Sequence, residues 1–216
     1  VKTGSFGLFN PSLYYAQKLN KTFTTSVNGS WQRADGNYKY KVQNGDYTLA
    51  KKRKNVDVSM YNAEFNLYSN FDKGGTLDFK LYYYDSDMGL PNTDIYNEYA
   101  TERLYDKNMF GQAVYNIDIN TRFKFKSQLK IDRTKNRYTN KMERYPNGKW
   151  IMDLEQREYY WSNSVLYTPI RNVSISLAED LSRNSLEKYD NNESIMGQRE
   201  RNPVRYTSLT ALATQY

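Results

Sequence analysis

The side chains best equipped for chemistry follow Tyr84: Asp85, Asp87, Asn92, Asp94, Tyr96, Asn97 and Tyr99. Asp85 and Asp87 lie two apart, so on an extended chain both carboxylates point the same way and could hold a hard cation such as Ca²⁺ through oxygen ligands. The competing reading is a solvated loop mouth with Asp in its turns. Asp190-Asn191-Asn192-Glu193 has similar oxygen chemistry but lacks the spacing of a twelve-residue Ca²⁺ loop. Trp150 follows the turn signal Pro146-Asn147-Gly148 and either stacks on a ligand or packs its own loop. A binding pocket needs apolar walls and a few placed polar groups. The candidate ligand-binding residues are therefore Tyr84, Asp85, Asp87, Tyr96, Tyr99 and Trp150, with no catalytic set and no metal set.

What is missing narrows the chemistry. The 216 residues contain no Cys and no His, so there is no thiol nucleophile, imidazole base, disulfide or Cys/His metal site. Asp and Glu are scattered over every polar segment, and no carboxylate pair sits in an evident apolar pocket as an acid and a nucleophile would. The expectation is a protein that is not an enzyme and has no resident cofactor, loop-bound Ca²⁺ aside. The net charge is +7, and residues 34–54 alone carry Lys39, Lys41, Lys51, Lys52, Arg53 and Lys54 against Asp35 and Asp46, or 6 − 2 = +4. Interleaved Tyr38, Tyr40 and Tyr47 raise a polyanion reading. Lipopolysaccharide phosphate or plain solvation is expected there ahead of an anionic ligand, and nucleic acid is not expected.

The elements that position these residues show a period of two. Phe23, Thr25, Val27, Gly29 and Trp31 share one face, and Leu77, Phe79, Leu81 and Tyr83 repeat the pattern, as do Phe123, Phe125, Leu129 and Ile131. The strands expected are 5–19, 22–33, 55–70, 76–86, 104–118, 122–133, 158–168, 173–182 and 204–216. Tight turns fall near Asn20-Lys21, Asp72-Lys73-Gly74-Gly75, Asn120-Thr121 and Ile170-Arg171-Asn172, about 50 residues apart. Between them lie polar connections at 34–54, 86–103, 134–157 and 183–203, long for a compact domain. Short turns alternating with long loops describe an up-and-down meander in the outer-membrane style.

Composition supports a lipid-facing wall over a packed core. There are 22 Tyr against 43 Leu, Ile, Val and Phe together, a ratio that favours surfaces dry at one end and wet at the other. No apolar run approaches the roughly 18 residues of a spanning helix, whereas barrel strands alternate faces and average to a polar composition. Nine strands cannot close an even-numbered antiparallel barrel. The fold class expected is thus all-β, an antiparallel transmembrane β-barrel of which residues 1–216 form one partial domain. A passive porin or structural barrel, and a soluble secreted carbohydrate-binding β-protein, remain as alternatives.

Three passages carry a resemblance. Gly4-Ser5-Phe6-Gly7 with Asn10-Pro11-Ser12-Leu13, the run Leu81 to Pro91 (Leu-Tyr-Tyr-Tyr-Asp-Ser-Asp-Met-Gly-Leu-Pro), and Glu102 to Gln112 resemble barrel strands of TonB-dependent outer-membrane receptors, the second in their vitamin B12, haem and siderophore branch. The resemblance covers most of residues 4–182. It implies a 22-stranded barrel, a plug and a TonB contact outside these residues, and localisation in the outer membrane of a Gram-negative bacterium. It also implies outer-membrane lipid and lipopolysaccharide as surroundings, a bulky small-molecule nutrient such as cobalamin or a siderophore as ligand, and a surface lipoprotein as a further partner.

Overall fold

The protein is described from a computed structural model covering residues 1–72, 74–93, 96–143, 145, 148–191 and 199–215. Among these residues there are thirteen strands: β1 (Lys2–Gly4), β2 (Leu8–Asn10), β3 (Ser12–Lys18), β4 (Phe23–Ala34), β5 (Lys39–Asn44), β6 (Tyr47–Lys52), β7 (Val58–Asn70), β8 (Gly75–Gly89), β9 (Arg103–Asp118), β10 (Phe123–Lys141), β11 (Lys149–Ile170), β12 (Val173–Asp190) and β13 (Arg199–Gln215). Eleven form one antiparallel sheet in the order β1-β2-β4-β7-β8-β9-β10-β11-β12-β13 with β3 also beside β4, while β5 and β6 form a separate hairpin. β2 and β3 are the expected strand 5–19 broken at Pro11, which has no N–H for the ladder but accepts from Trp31 N at 3.1 Å. Among the described residues no helix is long and apolar enough to cross a membrane, which says nothing of a β-barrel.

The tight turns are built by their own sequences. In Asn20-Lys21-Thr22-Phe23 the Asn20 side-chain oxygen accepts from the N–H groups of Thr22 and Phe23, both at 2.8 Å. Asn120-Thr121-Arg122-Phe123 repeats the device at 2.8 and 2.9 Å. In both, the residue before Asn donates its N–H to the Phe carbonyl at 2.9 Å. Gly74 takes the left-handed conformation (φ 78°) that the third turn needs.

Register follows from these turns. In the main sheet, from β3 to β13, the cross-strand partners share parity (Val27↔Phe65, Phe65↔Leu81, Leu81↔Gly111, Gly111↔Ile131, Ile131↔Tyr159), apart from a shift between Tyr167 and Ile170. Odd-numbered residues therefore make one face of the wall and even-numbered residues the other. The odd face is apolar and exposed: Val27, Leu81, Leu129, Ile131, Trp161, Ile175 and Leu177 all stand out to solvent, and no apolar side chain of the described residues is buried. There is no conventional core.

On the strands leaving the four turns, the odd-face apolar segments run Phe23–Trp31, Gly75–Tyr83, Phe123–Ile131 and Val173–Leu181, nine residues each. A charged residue follows at the next odd position: Arg33, Asp85, Arg133 and Arg183. Successive turn ends fall two residues lower per hairpin, since Phe23 shares a row with Leu77, Gly75 with Phe125, and Phe123 with Ile175. One residue of stagger per strand, with a rise of about 3.4 Å against a strand spacing of about 4.8 Å, tilts the strands by about 35°. Nine tilted residues then span about 25 Å, the height of a barrel's apolar band. Within the band the odd face carries one charge among the described residues, Glu179.

Beyond the band the strands continue where long loops were expected. β10 runs to Lys141 and β11 starts at Lys149, so most of the expected loop 134–157 is sheet; β12 likewise runs to Asp190 and β13 starts at Arg199. The expected loop 34–54 holds the β5–β6 hairpin, and 86–103 shortens to a connection of 90–102 with one turn of 3-10 helix at Asn97–Tyr99. The extensions escaped the sequence reading because the apolar phase inverts above the band. Leu104, Tyr138, Met152, Leu154 and Leu186 are even, while the odd positions carry Lys107, Arg133, Lys135, Arg137 and Asp153.

Candidate functional site

The long-connection end of the wall is organised by three polar side chains. Asn55, in the left-handed conformation (φ 55°), donates from Nδ2 to the carbonyls of Leu90 (2.8 Å) and Glu102 (2.6 Å), closing both ends of the 90–102 connection. Asn97, fully buried, donates to the Lys52 carbonyl at 2.9 Å and accepts from Lys54 N at 3.0 Å, tying the 3-10 turn to the end of β6. Arg103 forks onto Asp57 (3.2 and 2.9 Å) and reaches Asp87 through Nε at 2.7 Å. That guanidinium holds the Asp57 carboxyl below its ordinary range. Such bidentate geometry fixes direction as well as charge.

An aromatic cluster sits on the even face between the tops of β10 and β11. Trp150 meets Tyr138 edge to face at 5.0 Å and Tyr145 at 5.7 Å. Its indole N–H donates to Asp190 at 2.8 Å. Burial, and then the Glu102 carboxylate beside it, push the Tyr138 phenol up to about 12, so it is neutral at any ordinary pH. Thr101 Oγ1 lies 2.9 Å from both Asn140 Oδ1 and the Lys141 carbonyl, which seats the 90–102 connection on β10. Below this cluster the even face is wet in character: Lys80 pairs with Glu64 (2.9 Å), Lys130 with Glu158 (3.1 Å), and Tyr160 with Asp180 (2.5 Å).

The six candidates named from the sequence do not form one cluster. Tyr84 lies on the even face between Asn62 and Asn108. Asp85 and Asp87 lie on the odd face and are each held by a cation: Asp85 by Lys107 (2.8 Å) and the Tyr83 hydroxyl (2.7 Å), Asp87 by Arg103. Tyr96 and Tyr99 are exposed on the connection either side of buried Asn97. Trp150 packs within its hairpin. Asp94, Pro146, Asn147, Asn192 and Glu193 lie outside the described residues. Among the described residues no group of three carboxylates converges as a cation would require. Asn97, named among the polar side chains after Tyr84, serves as a buried anchor, while Tyr138, Arg103 and Asn55 were not anticipated. Hydrogen bonds between residues 35 to 47 positions apart hold Asn55, Asn97 and Arg103 at this rim.

The basic segment 39–54 is partly neutralised. Arg53 lies over the Tyr40 ring, 5.6 Å from its centre, and Lys54 pairs with Glu98. Lys39, Lys41, Lys51 and Lys52 lie on the β5–β6 hairpin, a two-stranded sheet separate from the main one.

No protein-family model and no curated protein matches the chain. Among solved structures, the ferric citrate transporter FecA in its unliganded form superposes on 99% of this chain with a TM-score of 0.56 and 13% sequence identity. What the two share is an antiparallel β-sheet fold. The chain spans 34% of the length of FecA. The ferric-catecholate import receptor Fiu of E. coli K12, in its open form, aligns over 92% of this chain and 46% of that one, at TM-score 0.39 and 9% identity. At 13% identity the likeness to the ferric citrate transporter concerns fold alone.

Proposed function

We propose that the chain is part of the barrel of a TonB-dependent outer-membrane receptor that takes up a scarce, bulky nutrient of the cobalamin or siderophore kind. The observation that carries this reading is the matched set of nine-residue apolar segments on one face, each ended by a charge, below a rim of anchored connections. In that setting the odd face meets lipid, the even face lines the lumen, and the 90–102 connection with the β10–β11 hairpin stands at the outer mouth. Tyr96 and Tyr99 offer exposed rings for a ligand, Tyr84 lies below them on the lumen side, and Trp150 buttresses the hairpin. Asp85 and Asp87, ion-paired on the odd face, act as structural anchors. Nothing in the arrangement performs a covalent step; energy would come through TonB acting on a plug outside these residues.

The test is ligand binding by the intact receptor in outer-membrane vesicles, with a panel of ferric siderophores and cyanocobalamin as probes. Replacing Tyr96 and Tyr99 together by Ala is expected to weaken binding of the cognate probe by about 1–3 kcal/mol, the scale of lost aromatic stacking. Unchanged affinity removes those rings from the site. Uptake that persists undiminished after the proton gradient is collapsed would replace active transport by passive diffusion.

A further inference from the structure

The 90–102 connection is held at its neck and at its middle, each time by the carboxamide of an asparagine. At the neck, Leu90 N donates to the Glu102 carbonyl at 2.9 Å, and Asn55 directs its Nδ2 group to the carbonyls of the same two residues at 2.8 and 2.6 Å. Asn55 does so from the left-handed region (φ 55°), which Asn enters more readily than most residues. Gly89 completes the neck: a Cβ there would stand 2.7 Å from the Asn55 carbonyl carbon and oxygen. At the middle, fully buried Asn97 donates to the Lys52 carbonyl at 2.9 Å and accepts from Lys54 N at 3.0 Å. These are the two bonds that a neighbouring parallel strand would make across Arg53. The amide is essential to the pair, since an aspartate of the same length accepts but does not donate.

The turn that carries Asn97 decides where its neighbours point. Asn97–Tyr99 form one turn of 3-10 helix, closed by Tyr99 N donating to the Tyr96 carbonyl at 2.9 Å. Each residue of such a turn advances by a third of a circle, so side chains three positions apart eclipse. One side is taken by Asn97, turned into the protein, and the next by Glu98, paired with Lys54. Tyr96 and Tyr99 share the remaining side and are 57% and 69% exposed. Rings this exposed bury little area and add little to folding, yet the turn beneath them is tied down by a buried amide. Fixed but exposed rings lose less freedom on meeting a ligand than rings on a loose loop.

We infer that Asn97 and Asn55 are positioning residues for nutrient binding: Asn97 turns Tyr96 and Tyr99 to one side as a paired-ring surface for a flat or apolar face of the nutrient, and Asn55 fixes the neck that carries them. Both act through the tyrosines and neither touches the nutrient. The inference rests on the receptor reading above and deepens it, because affinity then depends on two amides that the nutrient never meets.

The test is a double-mutant cycle on probe binding by the intact receptor in outer-membrane vesicles, using whichever of cyanocobalamin and a panel of ferric siderophores the parent binds most tightly. Asn97→Ala is expected to weaken binding by about fivefold or more in the parent, and by less than about twofold once Tyr96 and Tyr99 are both Ala. Asn55→Gly keeps the left-handed conformation and deletes only the two neck bonds. It should reproduce that pattern without emptying a buried site, so the idea does not depend on one variant folding. Asn20→Ala, in a tight turn at the other end of the sheet, should leave affinity unchanged, which separates positioning from a general loss of stability. An equal loss from Asn97→Ala with and without the two tyrosines, or full affinity in both asparagine variants, overturns the inference and leaves the rings in the site. Failure of the receptor reading looks different: no probe binds the parent, or the double tyrosine variant binds as the parent does, and either result removes this inference with it.

Discussion

Two carboxylates on the odd face show how depth alters the meaning of one residue type. Glu155 sits above the band; burial raises its pKa, but hydrogen bonds from Lys135, Arg157 and Arg133 outweigh that and hold it at about 2, against an ordinary 4.5. Because the folded value is depressed, its stabilising effect is complete above about pH 4.5 and is lost as pH falls towards 2. Urea midpoints of the folded barrel should therefore drop less between pH 6 and pH 3 in Glu155→Gln than in the parent. An identical drop in both would contradict the assignment. Glu179 lies inside the band between Leu177 and Leu181, opposite Asn163 and Leu209. A carboxylate facing acyl chains is unfavourable, so Glu179→Leu should stabilise the protein in lipid by about 1–2 kcal/mol. A loss of stability instead would show that a polar partner, not lipid, covers this row.

At the scale of elements, the turns carry the register. Asn120 satisfies two N–H groups at an exposed position, so Asn120→Ala should cost about 1 kcal/mol in urea unfolding, and Asn20→Ala a similar amount. No effect from either would mean the Phe23 and Phe123 ladders set the turns unaided. These turns and the period of two were legible in the sequence because one rule, apolar on odd positions, holds over most of the band. The rule fails above it. There Arg133, Lys135 and Arg137 occupy the odd positions and Tyr138, Met152 and Leu154 the even ones, so an unbroken strand reads as a polar loop. The six candidate residues are spread by the same geometry. Tyr96 and Tyr99 were recognisable as loop aromatics, but strand parity put Tyr84 and Asp85 on opposite faces, and the anchors Asn55, Asn97 and Arg103 depend on contacts 35 to 47 residues apart.

For the whole molecule, the high share of Tyr, 22 against 43 Leu, Ile, Val and Phe together, fits a wall with two exposed faces and no buried apolar side chain among the described residues. Tyr61, Tyr83 and Tyr159 ring the top of the apolar band on the odd face, and Tyr82 and Tyr160 stand among the ion pairs of the even face. The central claim is that odd residues of the band meet lipid and even residues do not. Three tryptophans test it, since Trp31 and Trp161 are odd and within the band while Trp150 is even and above it. Single-tryptophan variants, the other two replaced by Phe, are folded into vesicles of lipid brominated on the acyl chains, and quenching is read for each. The account predicts strong quenching of Trp161, clear quenching of Trp31 and none of Trp150; quenching of Trp150 equal to that of Trp161, or of none of the three, would contradict it.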